Sequence, residues 1–199
     1  MSDAKRLVDL SVSAAALVAL APLFGVLAVL IKLDSPGPVF FRQRRIGRGT
    51  RPFLLLKFRS MVANAPELGP WSTSPGDSRI TRIGSFLRRT SLDELPQLLN
   101  VVRGDMSLVG PRPDVPEQMG LYTDEERTLR HRVRPGITGW SQAAFRHEGS
   151  GELRKRYDLE YARRSSLRLD FQILWATLRH LATGRPAGRD CPCGGAGRG

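Results

Sequence analysis

Cysteine and lysine are scarce in this chain. Its two cysteines, Cys191 and Cys193, both sit in the terminal stretch RDCPCGGAGRG. Separated by one residue, they are poorly placed to bridge each other, and neither a further cysteine nor a suitably spaced histidine completes a zinc set. His131, His147 and His180 show no metal spacing. A disulfide-stapled or zinc-stapled scaffold is therefore excluded, which fits a reducing compartment. The Gly-rich tail has no apolar period and reads as disordered over 184–199. Only 4 of the 31 cationic residues are lysines; 27 are arginines, and the formal net charge is +12. The planar guanidinium grips phosphate oxygens in pairs, so the bias suits anionic partners. A coding bias toward arginine explains the surface ones equally well, and charge alone does not choose between nucleic acid, membrane surface and phosphorylated substrate. Aromatic residues are not interleaved with the arginines, so the platform for stacking bases is missing and nucleic acid is not an expected partner. No repeat and no second domain boundary is found, and 199 residues suit one domain with a real core.

Charge is missing altogether from Leu10 to Ile31, 22 residues in a row. As a straight helix that run would measure about 33 Å, enough to cross a hydrocarbon core of ~30 Å. A cleaved signal peptide is a poor reading, because cutting after Ala19-Leu20-Ala21 would leave PLFGVLAVLI as an apolar stump. A spanning anchor and a re-entrant helix remain. Pro22 lies near the midpoint, where it lacks a donor and clashes with the carbonyl of Val18. Basic residues flank both ends, Lys5 and Arg6 before and Lys32 with the Arg42–Arg51 cluster after, although Asp3 and Asp9 offset the first pair. Positive flanks stay on the cytoplasmic side, so re-entry is the expectation.

Beyond this segment, GPVFFRQRRIG (37–47) and RPFLLLKFRSM (51–61) read as two strands joined at GRGT. NAPELGPWSTSPGDSR reads as a loop. A helix is expected to begin within Ile80–Leu87, a basic helix with a Pro-Gly break within 127–140, and two more helices near 150–164 and 167–182. The last places Phe171, Leu174, Trp175, Leu178 and Leu181 on one stripe, which suits either core or the bilayer interface. Asp158 and Asp170 are read as structural, pairing with nearby arginines.

TSLDELPQLLNVVRGDMSLVGPRP (90–113) holds the densest candidate chemistry. Ser91-Leu92-Asp93-Glu94 matches a capping box. Pro96 fits poorly if Ser91 is the cap and better if Asp93 is, and Gly104 closes the helix. Adjacent acids in a first turn are common for electrostatic reasons alone. Here Arg88, Arg89, Arg103 and Arg112 keep them company. Cations favour the ionised carboxylate, as either a Mg²⁺ ligand or an anionic nucleophile. Pro111-Arg112-Pro113 presents one arginine on a stiffened backbone, or is a plain turn with a solvent-facing arginine.

SPGPVFFRQRRIG, KFRSM, TSLDELPQLLNVVRGDMSLVGPRP, HRVRPGITGWSQ and SLRLDFQIL, in that order, resemble the bacterial sugar transferases, in their small form as monotopic phosphoglycosyl transferases. The resemblance runs from roughly Lys5 to Leu181. It implies an α+β, mostly helical fold: a re-entrant membrane helix over 1–34, then a cytoplasmic membrane-associated catalytic domain over 35–183 with a small β-hairpin and amphipathic interfacial helices. It implies an enzyme on the cytoplasmic face of the bacterial plasma (inner) membrane, moving a sugar-1-phosphate from a UDP-sugar to a polyprenol phosphate and releasing UMP. Asp93 would be the nucleophile forming a phosphosugar-aspartyl intermediate, Glu94 its helper, and both would hold Mg²⁺. Arg59, Arg88, Arg112 and Arg146 would contact phosphates. Ala21-Pro22 stands where the family often has Ser-Pro, and SQAAFRHEGS (141–150) departs from the usual loop, so the sugar is not readable. A homodimer is left open. A tethered basic binding protein and an inactive scaffold for glycan assembly are the competing classes.

Overall fold

The computed structural model describes residues 3–69, 76–145 and 150–183. The uncharged run forms two helices, α1 (Asp3–Ala19) and α2 (Ala21–Asp34), bent by 61° at Leu20. Pro22 falls in the first turn of α2. The first turn of a helix has no intrahelical partner for a proline N–H, so the expected mid-helix cost is avoided by starting a new helix. Among the described residues no single helix is long and apolar enough to cross a membrane; the bent pair passes that test together.

Strands β1 (Phe40–Ile46) and β2 (Pro52–Phe58) pair antiparallel around a tight turn, as expected, with Phe40 opposite Phe58 and Ile46 opposite Pro52. A short α3 (Ala65–Leu68) interrupts the expected loop. Then come α4 (Arg82–Thr90), α5 (Gln97–Arg103), β3 (Ser107–Val109), α6 (Asp124–Arg130), β4 (Gly136–Thr138), α7 (Trp140–Phe145), α8 (Gly151–Arg164) and α9 (Leu167–Thr183). The pairing of β3 with β4 is parallel and was not expected; each strand has three residues, too few to show alternation. It depends on glycine, because a Cβ on Gly110 would lie 2.3 Å from the Arg134 carbonyl oxygen and one on Gly136 would lie 2.1 Å from the Gly110 nitrogen.

The main core gathers Leu98, Val109, Trp140, Tyr161 and Ile173, with Ala16 and Leu17 of α1 and Leu20 at the bend packed against it. A second cluster joins Leu27 and Ile31 of α2 to Phe58 and Leu87. Both halves of the bent pair are thus bound to the same body. Polar bonds fasten the two ends as well. Lys5 donates to Asp170 Oδ2 at 2.6 Å and to the Val109 carbonyl at 3.2 Å, while Asp9 accepts from Ser107 Oγ at 2.7 Å and the Leu108 amide at 3.1 Å. Arg6 caps the end of α5 through the Val101 and Val102 carbonyls, at 2.6 and 2.9 Å. At the far end Asp34 accepts the Ile83 amide at 3.0 Å.

Asp170 is structural as expected, but its partner is Lys5 of α1 rather than a nearby arginine. On α9 the buried face is Leu169, Ile173 and Ala176, while Phe171, Trp175 and Leu178 are 60%, 72% and 59% exposed. Of the expected stripe, Phe171, Trp175 and Leu178 are therefore not core, Leu174 packs against the core, and the Leu181 side chain lies outside the described residues. Leu7, Val12, Val18, Val26, Val29 and Leu33 of the bent pair are also at least half exposed.

Candidate active site

Asp93 and Glu94 lie in a 3-10 turn (Leu92–Glu94) between α4 and α5. The chain enters that turn through Ser91 in the left-handed region, φ 59°, and α5 begins only after Pro96. Neither expected cap forms. Ser91 makes no side-chain cap, and Glu94 turns away from it because two cations offer a better partner. Gly104 does end α5, at φ 93°.

Glu94 Oε1 accepts from Lys57 Nζ at 2.8 Å and from Arg112 Nη2 at 3.2 Å. Lys57 also stands 3.8 Å from Asp93 Oδ2. Among the described residues, the Asp93 carboxylate accepts no hydrogen bond, although only 7% of the residue is exposed. The two neighbours consequently diverge. Burial pushes the Asp93 carboxyl above its ordinary range, with Lys57 opposing and Glu94 adding to the rise. Burial works against ionised Glu94 too, but Arg112 and Lys57 outweigh it and hold that carboxyl down at about 2. Two acids with opposed shifts are the pattern of divided labour in catalytic sites.

Arg112 owes its position to a loop held at every carbonyl. The Pro111 carbonyl accepts the Gly136 amide at 2.9 Å, and Arg112's accepts Arg130 Nη2 at 2.8 Å. Pro113's accepts Arg45 Nη1 at 3.0 Å, and Asp114's accepts the Ile46 amide at 2.9 Å. Beneath the loop, Arg130 is 4% exposed and bonds Asp114 and Asp158, while Asp158 also accepts Ser141 Oγ at 2.8 Å. Asp158 is structural, as expected. The backbone of Pro-Arg-Pro is thus clamped, while the Arg112 side chain, in contact with Glu94, is 44% exposed as the plain-turn reading has it.

Of the other expected phosphate contacts, Arg88 donates to Ser60 Oγ at 2.9 Å and adds a favourable charge near Asp93. Its approach needs Gly84, where a Cβ would lie 2.0 Å from the Ser60 carbonyl oxygen. Arg59 is placed elsewhere: its guanidinium caps the end of α2 through the carbonyls of Ile31, Ser35 and Pro36. Arg146 lies outside the described residues, as does the 184–199 tail. Lys57 and Arg45 are not among the site residues expected from the sequence. The scarcity of lysine was the available signal for Lys57, since a compact ammonium kept among 27 arginines implies a position where the fork does not fit.

Among the described residues no three His, Cys, Asp or Glu side chains gather into a metal cluster. A pair of carboxylates, one with no hydrogen-bond donor, still has the oxygen ligands that Mg²⁺ takes in phosphoryl transfer.

The site is thus a desolvated carboxylate beside a second one gripped by lysine and arginine, with the Arg88 guanidinium nearby. The chain belongs to the bacterial sugar transferase family, whose profile matches residues 1–184. It is 48% identical over 189 residues to an undecaprenyl-phosphate glucose phosphotransferase of Komagataeibacter xylinus, covering 88% of this chain and 35% of that one. It is 42% identical over 188 residues to a UDP-N-acetylgalactosamine-undecaprenyl-phosphate N-acetylgalactosaminephosphotransferase of Aeromonas hydrophila, covering 90% and 44%. A UDP-glucose:undecaprenyl-phosphate glucose-1-phosphate transferase of Caulobacter vibrioides is 45% identical over 187 residues, covering 90% and 70%. The chain thus spans less than half of the first two relatives and a larger part of the third.

Proposed function

We propose that this protein is a phosphoglycosyl transferase that moves a sugar-1-phosphate from a UDP-sugar to a polyprenol phosphate, undecaprenyl phosphate by analogy with the relatives, at the first membrane step of a bacterial glycoconjugate or exopolysaccharide. The single observation that carries the reading is the contrast within Asp93-Glu94. An Asp93 oxygen without hydrogen bonds is the more basic and the more available nucleophile. It attacks the phosphorus that bears the sugar; the Asp93 O–P bond forms as the bridging P–O bond breaks, and UMP leaves with the bond electrons. An oxygen of the lipid phosphate then attacks the same phosphorus and releases Asp93. Glu94 stays ionised throughout and holds Lys57 and Arg112 against the site, and those cations offset the charge of two anionic reactants. Asp93 and Glu94 would hold Mg²⁺, which when bound would neutralise part of the diphosphate charge.

The attachment of both ends of the bent pair to one body supports re-entry over crossing, because a spanning helix would carry one end away. The exposed apolar faces of α1, α2 and α9 would then lie in the bilayer, with Trp175 at the headgroups of the cytoplasmic leaflet. The test is UMP release from a panel of UDP-sugars with undecaprenyl phosphate and Mg²⁺ in detergent. Wild type should release UMP from at least one donor, and Asp93→Asn from none, with a phosphosugar adduct on Asp93 visible by mass spectrometry in the absence of acceptor. Wild-type turnover by Asp93→Asn would exclude the nucleophile assignment.

A further inference from the structure

Arg130, Arg59 and Arg45 are buried or half-buried guanidiniums whose partners differ in kind. Arg130 is matched by two carboxylates, and Arg59 by three carbonyls at a helix end, where the macrodipole favours a cation. Arg45 has neither. Its Nε and Nη2 meet Gln43 Oε1 at 3.2 and 2.7 Å, and its Nη1 meets the Pro113 carbonyl at 3.0 Å. All three contacts are to neutral oxygens, and among the described residues no carboxylate stands within ion-pair distance of it. The next residue along the loop from its contact is Arg112, a like charge. Burial and Arg112 together push Arg45 down to about 10. A half-buried cation held by neutral acceptors beside another cation is costly as it stands, and an anion would relieve it.

Direction follows from register. Arg45 is opposite Phe53 and Phe41 is opposite Lys57, so Arg45, Gln43 and Lys57 project from one face of the hairpin. Along that face runs a series: Lys57 to Glu94, Glu94 to Arg112, and beside Arg112 the Pro113 carbonyl held by Arg45. Arg45 is at the end remote from Asp93.

We propose that Arg45, held by Gln43 and Pro113, forms with Arg112 a two-guanidinium seat for the diphosphate of the nucleotide donor, with Arg45 on the nucleotide-side phosphate. This rests on the function proposed above and adds to it an orientation: the nucleotide end of the donor lies over the hairpin face and the sugar-bearing phosphorus lies at Asp93.

The test is calorimetric titration of the full chain in nanodiscs with UDP, and separately with inorganic pyrophosphate, at fixed ionic strength. Arg45→Gln should weaken both by roughly tenfold or more, the scale of a lost charge-assisted contact. Arg45→Lys should recover part of the loss, and Gln43→Ala should fall between. Arg163→Gln, an exposed cation paired with Glu160 on α8, controls for the general field and should bind as wild type. In turnover, Arg45→Gln should raise KM for the UDP-sugar with little change in kcat, because the contact is made before and during transfer. Wild-type affinity in Arg45→Gln would overturn the seat, as would an equal loss in Arg163→Gln. If Arg45→Gln fails to fold by thermal melting, Arg45→Lys decides: unchanged affinity there overturns the fork-specific seat. Arg45-dependent UDP binding without UMP release from any donor would sink the transferase reading and leave the seat standing. UMP release with KM unmoved by Arg45→Gln would do the reverse.

Discussion

At Asp93 and Glu94 the same burial has opposite outcomes, because only one of the two carboxylates has cations in bonding contact. This makes the pair separable by pH. In the proposed transfer Asp93 attacks as the ionised carboxylate, so kcat should fall on the acid side through a pKa above the ordinary aspartate value of 3.8, while Glu94, held at about 2, does not titrate in that window. The stability effects have opposite signs. A carboxyl raised in the fold stabilises it while protonated, and that share is lost as pH rises through the folded value; at neutral pH Asp93→Asn should therefore raise Tm. A carboxyl depressed in the fold stabilises it above the unfolded value, and that share is lost as pH falls toward about 2; Glu94→Gln should lower Tm at neutral pH. Melting curves of the two variants at pH 7 check the pair, and shifts of the same sign would show that the two carboxylates are not held as described. The acids themselves were legible in the sequence because of the cations around them. Arg112, 18 positions on, was among those cations, but Lys57 was not, since it is 37 positions away and local spacing offers Glu94 the nearer Ser91 instead. Arg59 misled for a related reason: β2 ends at Phe58, the alternation that would have aimed Arg59 beside Lys57 stops, and the carbonyls at the end of α2 take the guanidinium.

At the scale of elements, the hairpin, α4, α8 and α9 are readable from apolar spacing and turn residues, whereas β3 and β4 exist only because two glycine-containing loops approach backbone to backbone. The Pro-Arg-Pro loop shows the same limit. Its prolines announce a stiff turn, but the stiffness that matters comes from Arg130, Arg45 and the amides of Gly136 and Ile46, all distant in sequence. Arg130 joins the loop to α8 through Asp158 and, through Ser141, to α7. Removing it would leave two buried aspartates without their cation, and breaking such a pair costs roughly 3–5 kcal/mol. Arg130→Met should therefore show a large loss of denaturation midpoint. Hydrogen exchange should quicken in the peptide over 110–118 beyond the general destabilisation, while exchange in α1 rises only with it. A midpoint within error of wild type would show that the network contributes specificity without stability.

For the whole molecule, the bent pair α1–α2 is less an appendage than a part of the core, since Lys5, Asp9 and Ser13 form a buried stripe one turn apart along α1 and Leu7, Leu10 and Val12 between them face outward. Two features follow from one arrangement. Lys5 paired to Asp170 holds the start of α1 against α9, and it leaves outward the apolar residues that the proposed re-entry would set in lipid. If α1 and α2 dip into one leaflet and return, residue 4, exposed one position before the buried lysine, stays on the side of the catalytic domain. Ala4→Cys in spheroplasts should be protected from a membrane-impermeant thiol reagent and should react once the cytoplasmic face is opened. The native Cys191 and Cys193 must first be replaced by serine so that only position 4 reports. The same design tests whether the buried pair sets the topology. Lys5→Met leaves Asp170 with Tyr161 but without its cation, so the fold should lose stability and the N-terminus should become partly reactive from outside. Lys5→Met with Asp170→Leu removes both charges, and because an apolar pair can replace a buried ionic one, stability should largely return. Full labelling of Ala4→Cys from outside in the otherwise intact protein would show that the pair crosses the bilayer. The contacts of Lys5, Arg6 and Asp9 could then not form in the membrane-bound protein.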